Sequence, residues 1–236
     1  MKWIGRIIEI IVDSFVPIIT AGFQYTIPLT LISFTLGTLL AILVAIIRVS
    51  KVKILDPICR FYVWVIRGTP LLVQLFVVFF GLPKIGFIIE PMPAGILVFT
   101  LSIGAYSSEI FRAAILSIPK GQWEAASSLG MSYPATLRRI ILPQATKISI
   151  PPLFNSFISL VKDTSLASNI TISEMFLVTQ RITARTYEPL VLYIEVGCIY
   201  LIFCTVLNWV QNRVEDKLML SKSEKKKVKE IVDNQI

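Results

Sequence analysis

Residues 18–47 read IITAGFQYTIPLTLISFTLGTLLAILVAII, thirty positions without an aspartate, glutamate, lysine or arginine. At a rise of about 1.5 Å per residue, roughly 20 such positions carry a helix across the hydrocarbon of a bilayer, so this stretch is more than long enough and must tilt or protrude. Inside lipid a single segment can satisfy its backbone N–H and C=O groups only as a helix. The stretch therefore points to an all-α integral membrane protein.

The rest of the chain agrees. Of its 236 residues 55% are hydrophobic and only 16% charged, with a mean hydropathy of +0.74, outside the balance of a soluble domain. Four further stretches have the length to span: Ile58–Leu82, Ala94–Ile115, Ile148–Ala167 and Leu190–Val210. Five transmembrane helices are expected. The second contains Arg67 and Pro70 and the fourth Lys162 and Asp163. Such interruptions at membrane depth usually line a cavity.

Ahead of the first span, Lys2, Arg6, Glu9 and Asp13 recur every three or four residues, a single polar stripe on a helix, while Trp3, Ile7, Ile8, Ile11 and Phe15 point elsewhere. Residues 1–16 are expected to form an amphipathic helix in the membrane interface, with a simple extension of the first span as the alternative, and Glu9 and Asp13 argue against a cleaved signal. Residues 17–216 form the transmembrane domain. Residues 217–236, with Lys222, Lys225, Lys226, Lys227 and Lys229, read as a basic cytoplasmic tail near anionic lipid.

The net charge of +8 resides in loops beside apolar runs, so nucleic acid is not the expected partner and membrane lipid is. Sixteen lysines and arginines fall after spans one and three and in the tail, against five on the opposite side. The positive-inside rule then puts the N-terminus outside and the C-terminus in the cytoplasm of a bacterial plasma membrane. The chain has no histidine, which excludes histidine-ligated metals, Ser-His-Asp triads and histidine proton relays. No glycine opens a GxxxxGK[ST] phosphate loop, so any nucleotide energy must come from another chain. Cys59, Cys198 and Cys204 have no metal or redox spacing and read as small hydrophobes.

The loop at 116–147 is too long for a simple connection and is punctuated by Pro119, Gly121, Gly130, Pro134 and Pro143. It carries Glu124-Ala125-Ala126, then Gly130, then Ile140, Leu142 and Pro143. Small side chains let a short helix lie close against a partner, Gly130 can end it at positive φ, and Pro143 can open the next helix. This spacing resembles, position for position, the EAA---G---------I-LP loop of ATP-binding-cassette (ABC) importer permeases. The resemblance implies a type I importer fold whose cytoplasmic coupling helix, using these seven residues, sits in a cleft of a separate ATPase.

Three other segments resemble the polar amino acid branch of these permeases: Arg67-Gly68-Thr69-Pro70-Leu71-Leu72-Val73-Gln74 with Phe79-Phe80-Gly81-Leu82-Pro83, Gly104-Ala105-Tyr106 with Glu109-Ile110-Phe111-Arg112, and Lys162-Asp163-Thr164-Ser165-Leu166. The resemblance covers about Pro17 to Asp216. It implies a dimer with an identical or related permease, two ATPase subunits that hold ATP and Mg, an external solute-binding protein, and a polar amino acid as substrate. By the same resemblance this chain itself is expected to bind no cofactor and to be no enzyme.

Asn155, Ser156, Ser159, Lys162 and Asp163 recur at helical spacing on one face of span four, among apolar neighbours. An amino acid zwitterion could satisfy both Lys162 and Asp163. These five, with Gln74 and Glu195, are the candidate substrate path. Competing roles are mutual orientation or backbone capping for Lys162 and Asp163, a hydrogen bond to a neighbouring helix for Glu195, and snorkelling for Arg67. The stripe carries no second carboxylate, which favours a net-neutral polar substrate, cystine, glutamine and histidine among those allowed. Glu109 and Arg112 read as a structural helical pair. Gly37, Ala41 and Ala45, four apart, suit close helix packing. An ion-coupled secondary transporter using Asp163, or a non-transporting anchor subunit, are the alternative functions.

Overall fold

The computed structural model describes residues 2–217 together with Glu230, the side chains of Lys2, Trp3 and Lys217 excepted. Lys222, Lys225, Lys226, Lys227 and Lys229 of the tail lie outside the described residues. Every regular element among those described is helical. The longer helices are α1 (Lys2–Ala21), α2 (Ile27–Val49), α3 (Leu55–Gly68), α4 (Leu71–Phe76) and α5 (Pro91–Leu116). Then come α6 (Lys120–Ser128), α7 (Tyr133–Thr136), α8 (Leu142–Asp163), α9 (Met175–Thr186) and α10 (Pro189–Lys217).

Among the described residues three helices have the length and apolarity to cross a bilayer: Ile4–Val49, Pro91–Leu116 and Pro189–Asp216. A fourth crossing arises if Leu55–Gly68 and Leu71–Ile85 are taken as one broken span. The expected second span is thus not one helix, because Pro70 is extended (φ −63°, ψ 136°) and cannot continue α3. The expected fourth span lies in α8 and the 3-10 segment Thr164–Ile170 after it. Among the described residues α8, which carries Pro151, Pro152, Lys162 and Asp163, is not one of the helices long and apolar enough to cross.

Residues 2–16 are the first part of α1 (Lys2–Ala21). The chain is helical from Lys2 to Val49: α1 runs on through Pro17, which removes one backbone N–H without ending the helix, and passes through a π-turn (Gly22–Thr26) into α2. Pro143 likewise does not open a helix: α7, a π-turn (Leu137–Ile141) and α8 follow one another directly, with Pro143 at the second position of α8.

The π-turns among the described residues share one cause. Gly22–Thr26, Val77–Gly81 and Leu137–Ile141 each end two residues before a proline: Pro28, Pro83 and Pro143. A proline ring clashes with the carbonyl four residues back and offers no N–H to it. Here the residue ahead of each proline donates instead five residues back, Ile27 to Gly22, Leu82 to Val77 and Leu142 to Leu137. The widened turn lets the helix continue past the proline.

The chain divides into two compact units. The first comprises Met1–Thr35, Thr69–Thr100 and Phe157–Trp209. In it Ile18 of α1, Met175 of α9, and Val196 and Ile199 of α10 form one buried cluster. Gly22 and Gly95 are sites of close approach: a Cβ on Gly22 would stand 2.9 Å from Met175 Sδ, and one on Gly95 2.8 Å from Ile172 Cδ1.

The second unit comprises Leu36–Gly68, Leu101–Ser156 and Val210–Ile236. Ala41 and Ala45 are buried against Phe111 of α5 and Leu153 of α8, which identifies the partners of the small-residue stripe. Ala114, Ile115 and Ile118 pack with Leu137, Ile141, Ala145 and Ile148, so that α5 and the start of α8 share a core. A Cβ on Gly104 would meet Tyr62 Oη at 2.6 Å and Leu40 Cδ2 at 2.7 Å, the closest approach of α5 to α2 and α3.

Candidate functional site

The segment expected to dock begins with Pro119 in extended backbone, which starts α6 at Lys120. Its end is built by three backbone bonds. Leu129 N–H donates to Ala125 O (3.1 Å), Gly130 N–H to Ser127 O (2.9 Å) and Met131 N–H to Ala126 O (3.1 Å), with Gly130 at φ +70°. This is the Schellman arrangement, in which a left-handed residue turns the chain so that orphan carbonyls at the helix end are satisfied. The expected role of Gly130 is therefore met in the backbone.

The faces of α6 are sharply divided. Ala126 is buried and Trp123 half-buried, and the latter packs on the cluster around Ile115 and Ile141. Trp123 also stacks on Tyr133, ring centroids 5.7 Å apart and planes at 20°. Glu124, Ala125, Ser127, Ser128 and Leu129 are exposed. Of the remaining motif residues, Ile140 and Leu142 pack on that same cluster, and Pro143 is exposed beside the π-turn. Gln144 donates to Gln122 of α6 (3.3 Å) and to Ile140 O (2.9 Å). The motif thus divides into an outward set on α6 and an anchoring set that ties α6 to the start of α8.

Beneath this sits an ionic knot. Glu109 accepts from Arg112 Nε at 2.9 Å on its own helix and from Arg48 of α2, with Arg48 and Glu109 both largely buried. The Glu109–Arg112 pair is therefore present and structural, as expected, but Arg48 completes it. Its sequence signal was only an arginine closing an apolar run. The Arg67 guanidinium lies 5.2 Å from the Tyr106 ring centroid, a cation–π contact.

The candidate substrate path separates on inspection. Asn155 Oδ1 accepts from Gln211 of α10 (3.1 Å), and Ser156 donates to Pro152 O (3.0 Å) on its own helix. Gln74 is turned back on Thr69, donating to its carbonyl (3.1 Å) and hydroxyl (2.9 Å). Glu195 is buried and accepts from Ser14 of α1 at 2.6 Å, the neighbouring-helix bond that was one of its two expected roles. Ser159 and Lys162 are exposed, and Asp163 is half-buried. Among the described residues Asp163 forms no ion pair, and its side chain does not cap the 3-10 segment that follows it. Of the structural roles that competed for this pair, capping of the following segment by Asp163 is absent.

One buried group escaped the sequence reading. Glu174, fully buried, caps α9 by accepting from Phe176 N–H (2.8 Å) and Leu177 N–H (2.7 Å), and it accepts from Tyr200 Oη of α10 at 2.9 Å. It lies outside the spanning helices, and burial pushes its carboxyl up to about 7 against the lowering effect of those bonds. An acidic residue just ahead of an amphipathic run was the available signal.

Residues 34–219 match the family described as binding-protein-dependent transport system inner membrane component, and the chain belongs to that family. It is an inner membrane permease subunit of an ABC importer, a system whose ATPase and binding protein are other chains. The chain is 51% identical over 211 residues to the L-cystine transport system permease protein TcyB of Bacillus subtilis (strain 168), covering 89% of this chain and 90% of that one. It is 35% identical to the arginine transport system permease protein ArtQ of the same organism, covering 86% and 93%. Among solved structures, an amino acid ABC transporter crystallised with histidines superposes with a TM-score of 0.83 at 32% identity, over 87% of this chain and 96% of that one. An inward-facing MetNI methionine ABC transporter shares the fold, with a TM-score of 0.64 at 16% identity, over 93% and 99%.

Proposed function

We propose that this permease carries a polar, net-neutral amino acid of the cystine type inward, powered by ATP and Mg on two ATPase subunits and loaded by an external solute-binding protein. The observation that carries the coupling half of the reading is the Schellman-capped α6, with Ala126 anchored and Glu124, Ala125, Ser127 and Ser128 presented outward. A short helix of small side chains, held rigidly from behind, passes a push from a partner's cleft into α5 and α8 without bending. The substrate half is supported by the relative at 51% identity, itself an L-cystine permease, and by the lack of a second carboxylate on the face of α8 that bears Asp163.

In this reading the chain pairs with a second permease, identical or related. It crosses the membrane five times, with α3 and α4 as one broken crossing and α8 with its 3-10 extension as another. The N-terminus is outside and α6 in the cytoplasm, and the first turns of α1 lie in the interface. Asp163, Lys162 and Ser159 are the solute-facing groups, since their side chains are not consumed by internal bonds. The free energy of translocation comes from the different affinities of two states for ATP and loaded binding protein.

The test is uptake of labelled cystine into vesicles containing this chain, its candidate ATPase and binding protein, with and without ATP. Uptake that requires ATP and all three components is expected. Uptake by this chain alone, indifferent to ATP, would replace the reading with that of a secondary transporter, and an epitope at Glu124 found outside the cell would end it.

A further inference from the structure

A cleft of about 260 Å³ lies at the end of α2, the start of α3 and the end of α5, with Arg48, Lys51, Arg60 and Arg112 on its walls. Two carboxylates answer these four cations. Asp56 pairs with Arg60 at 2.9 Å, and Glu109 is shared between Arg48 and Arg112, so the cluster keeps a surplus of two positive charges. The donors are not used up. Arg48 Nε is buried without a hydrogen-bond partner, the Arg112 side chain is about one-third exposed, and Lys51 forms no ion pair among the described residues. Lys51 is held at the mouth by a left-handed backbone (φ +50°) in the turn between α2 and α3.

The surroundings are apolar. Leu116 forms part of the wall, and Ile54 and Ile58 in the adjoining turn and helix are exposed at 77% and 60%. Side chains of this kind beside a transmembrane helix end are covered by acyl chains, and an anionic headgroup at that depth meets the cationic surplus head-on. We propose that this cleft binds the phosphate of an anionic phospholipid headgroup, with Lys51 and Arg60 closing over it at the mouth and Arg48 and Arg112 at its base. A free phosphate would use the same donors but would leave Ile54 and Ile58 uncovered. The placement of the cleft at the cytoplasmic leaflet rests on the orientation proposed above, whereas its ligand chemistry does not.

The experiment uses the full chain in detergent, with lipid retention read by native mass spectrometry. Added phosphatidylglycerol should be retained in preference to phosphatidylcholine. Lys51→Gln with Arg60→Gln should weaken that retention roughly 10–30-fold, as loss of two surface cations predicts. Lys84→Gln, at the opposite predicted face, should leave it unchanged. If the double variant does not purify as a single species, Lys51→Gln alone carries the comparison, because that side chain holds no ion pair. Equal retention of the two lipids, or retention unaffected by the substitutions, would overturn the site. Displacement of the lipid by equimolar inorganic phosphate would assign the cleft to the free anion and overturn the lipid reading. Sidedness is read separately from epitope access at Glu124, so an error of orientation and an error of ligand give different results.

Discussion

Trp123 stacks on Tyr133 at 5.7 Å between ring centroids, closing the chain around Gly130 into a rigid hairpin. With the packing of Trp123 on the cluster around Ile115 and Ile141 and the Gln144–Gln122 bond, it ties α6 to the segment that follows. An aromatic pair contributes about 0.5–1.5 kcal/mol beyond its buried area. Trp123→Ala should therefore leave insertion intact but cut co-purification of the ATPase several-fold and slow ATP-driven uptake. Trp123→Phe should retain most of both. Pull-down and uptake measured on the same preparations decide it.

Gly130 sits at φ +70° with nothing within 4 Å of where a Cβ would stand. Substitution there meets no clash, so its cost is purely conformational, about 1–2 kcal/mol for a residue that disfavours the left-handed region. Gly130→Val should uncouple ATP hydrolysis from uptake, whereas Gly130→Asn, which tolerates this backbone, should be close to wild type. Equal uptake in all three proteins would show that the turn does not transmit the stroke.

Asp163, at the end of α8, forms no ion pair among the described residues and no side-chain cap bond. Asp163→Asn preserves size and removes charge, and should lower uptake roughly tenfold, the scale of one lost charge-assisted hydrogen bond. ATPase co-purification should not change. A concentration series of uptake rates, wild type against variant, checks this, and coincident curves would remove Asp163 from the solute path.

Glu174 should make the fold sensitive to pH. Its folded pKa of about 7 lies above the ordinary 4.5 of a glutamate, so its protonated form favours the native state. That contribution is complete below about 4.5 and is lost as pH rises through about 7. The melting temperature of the purified chain should fall between pH 5 and pH 8, and Glu174→Gln should flatten the fall while keeping an oxygen for the helix cap. Parallel melting curves of the two proteins would refute the assignment.

Much of the molecule could be read directly from the chain because its signals are local. The charge-free run at 18–47 and the spacing from Glu124 to Pro143 each depend only on neighbours along one segment. The readings that changed involved prolines, whose effect depends on what the helix can do around them. Pro70 breaks a span, whereas Pro28, Pro83 and Pro143 are passed by π-turns. Periodicity alone does not distinguish these outcomes, because it counts side chains and not carbonyls. The candidate path was legible as a stripe, but Asn155, Gln74 and Glu195 are engaged by Gln211, Thr69 and Ser14, and no pattern in the sequence announces those partners.

From the amino-acid order alone came the membrane class, the docking loop and the family, since each rests on residue type at fixed spacing. Only the folded chain decided that Arg48 reaches Glu109 from 61 positions away, that Tyr200 seals Glu174 against α9, and that the cations around Lys51 converge on one cleft. Contacts of that kind arise when distant helices pack, and packing is a property of surfaces brought together in space, which no single segment encodes.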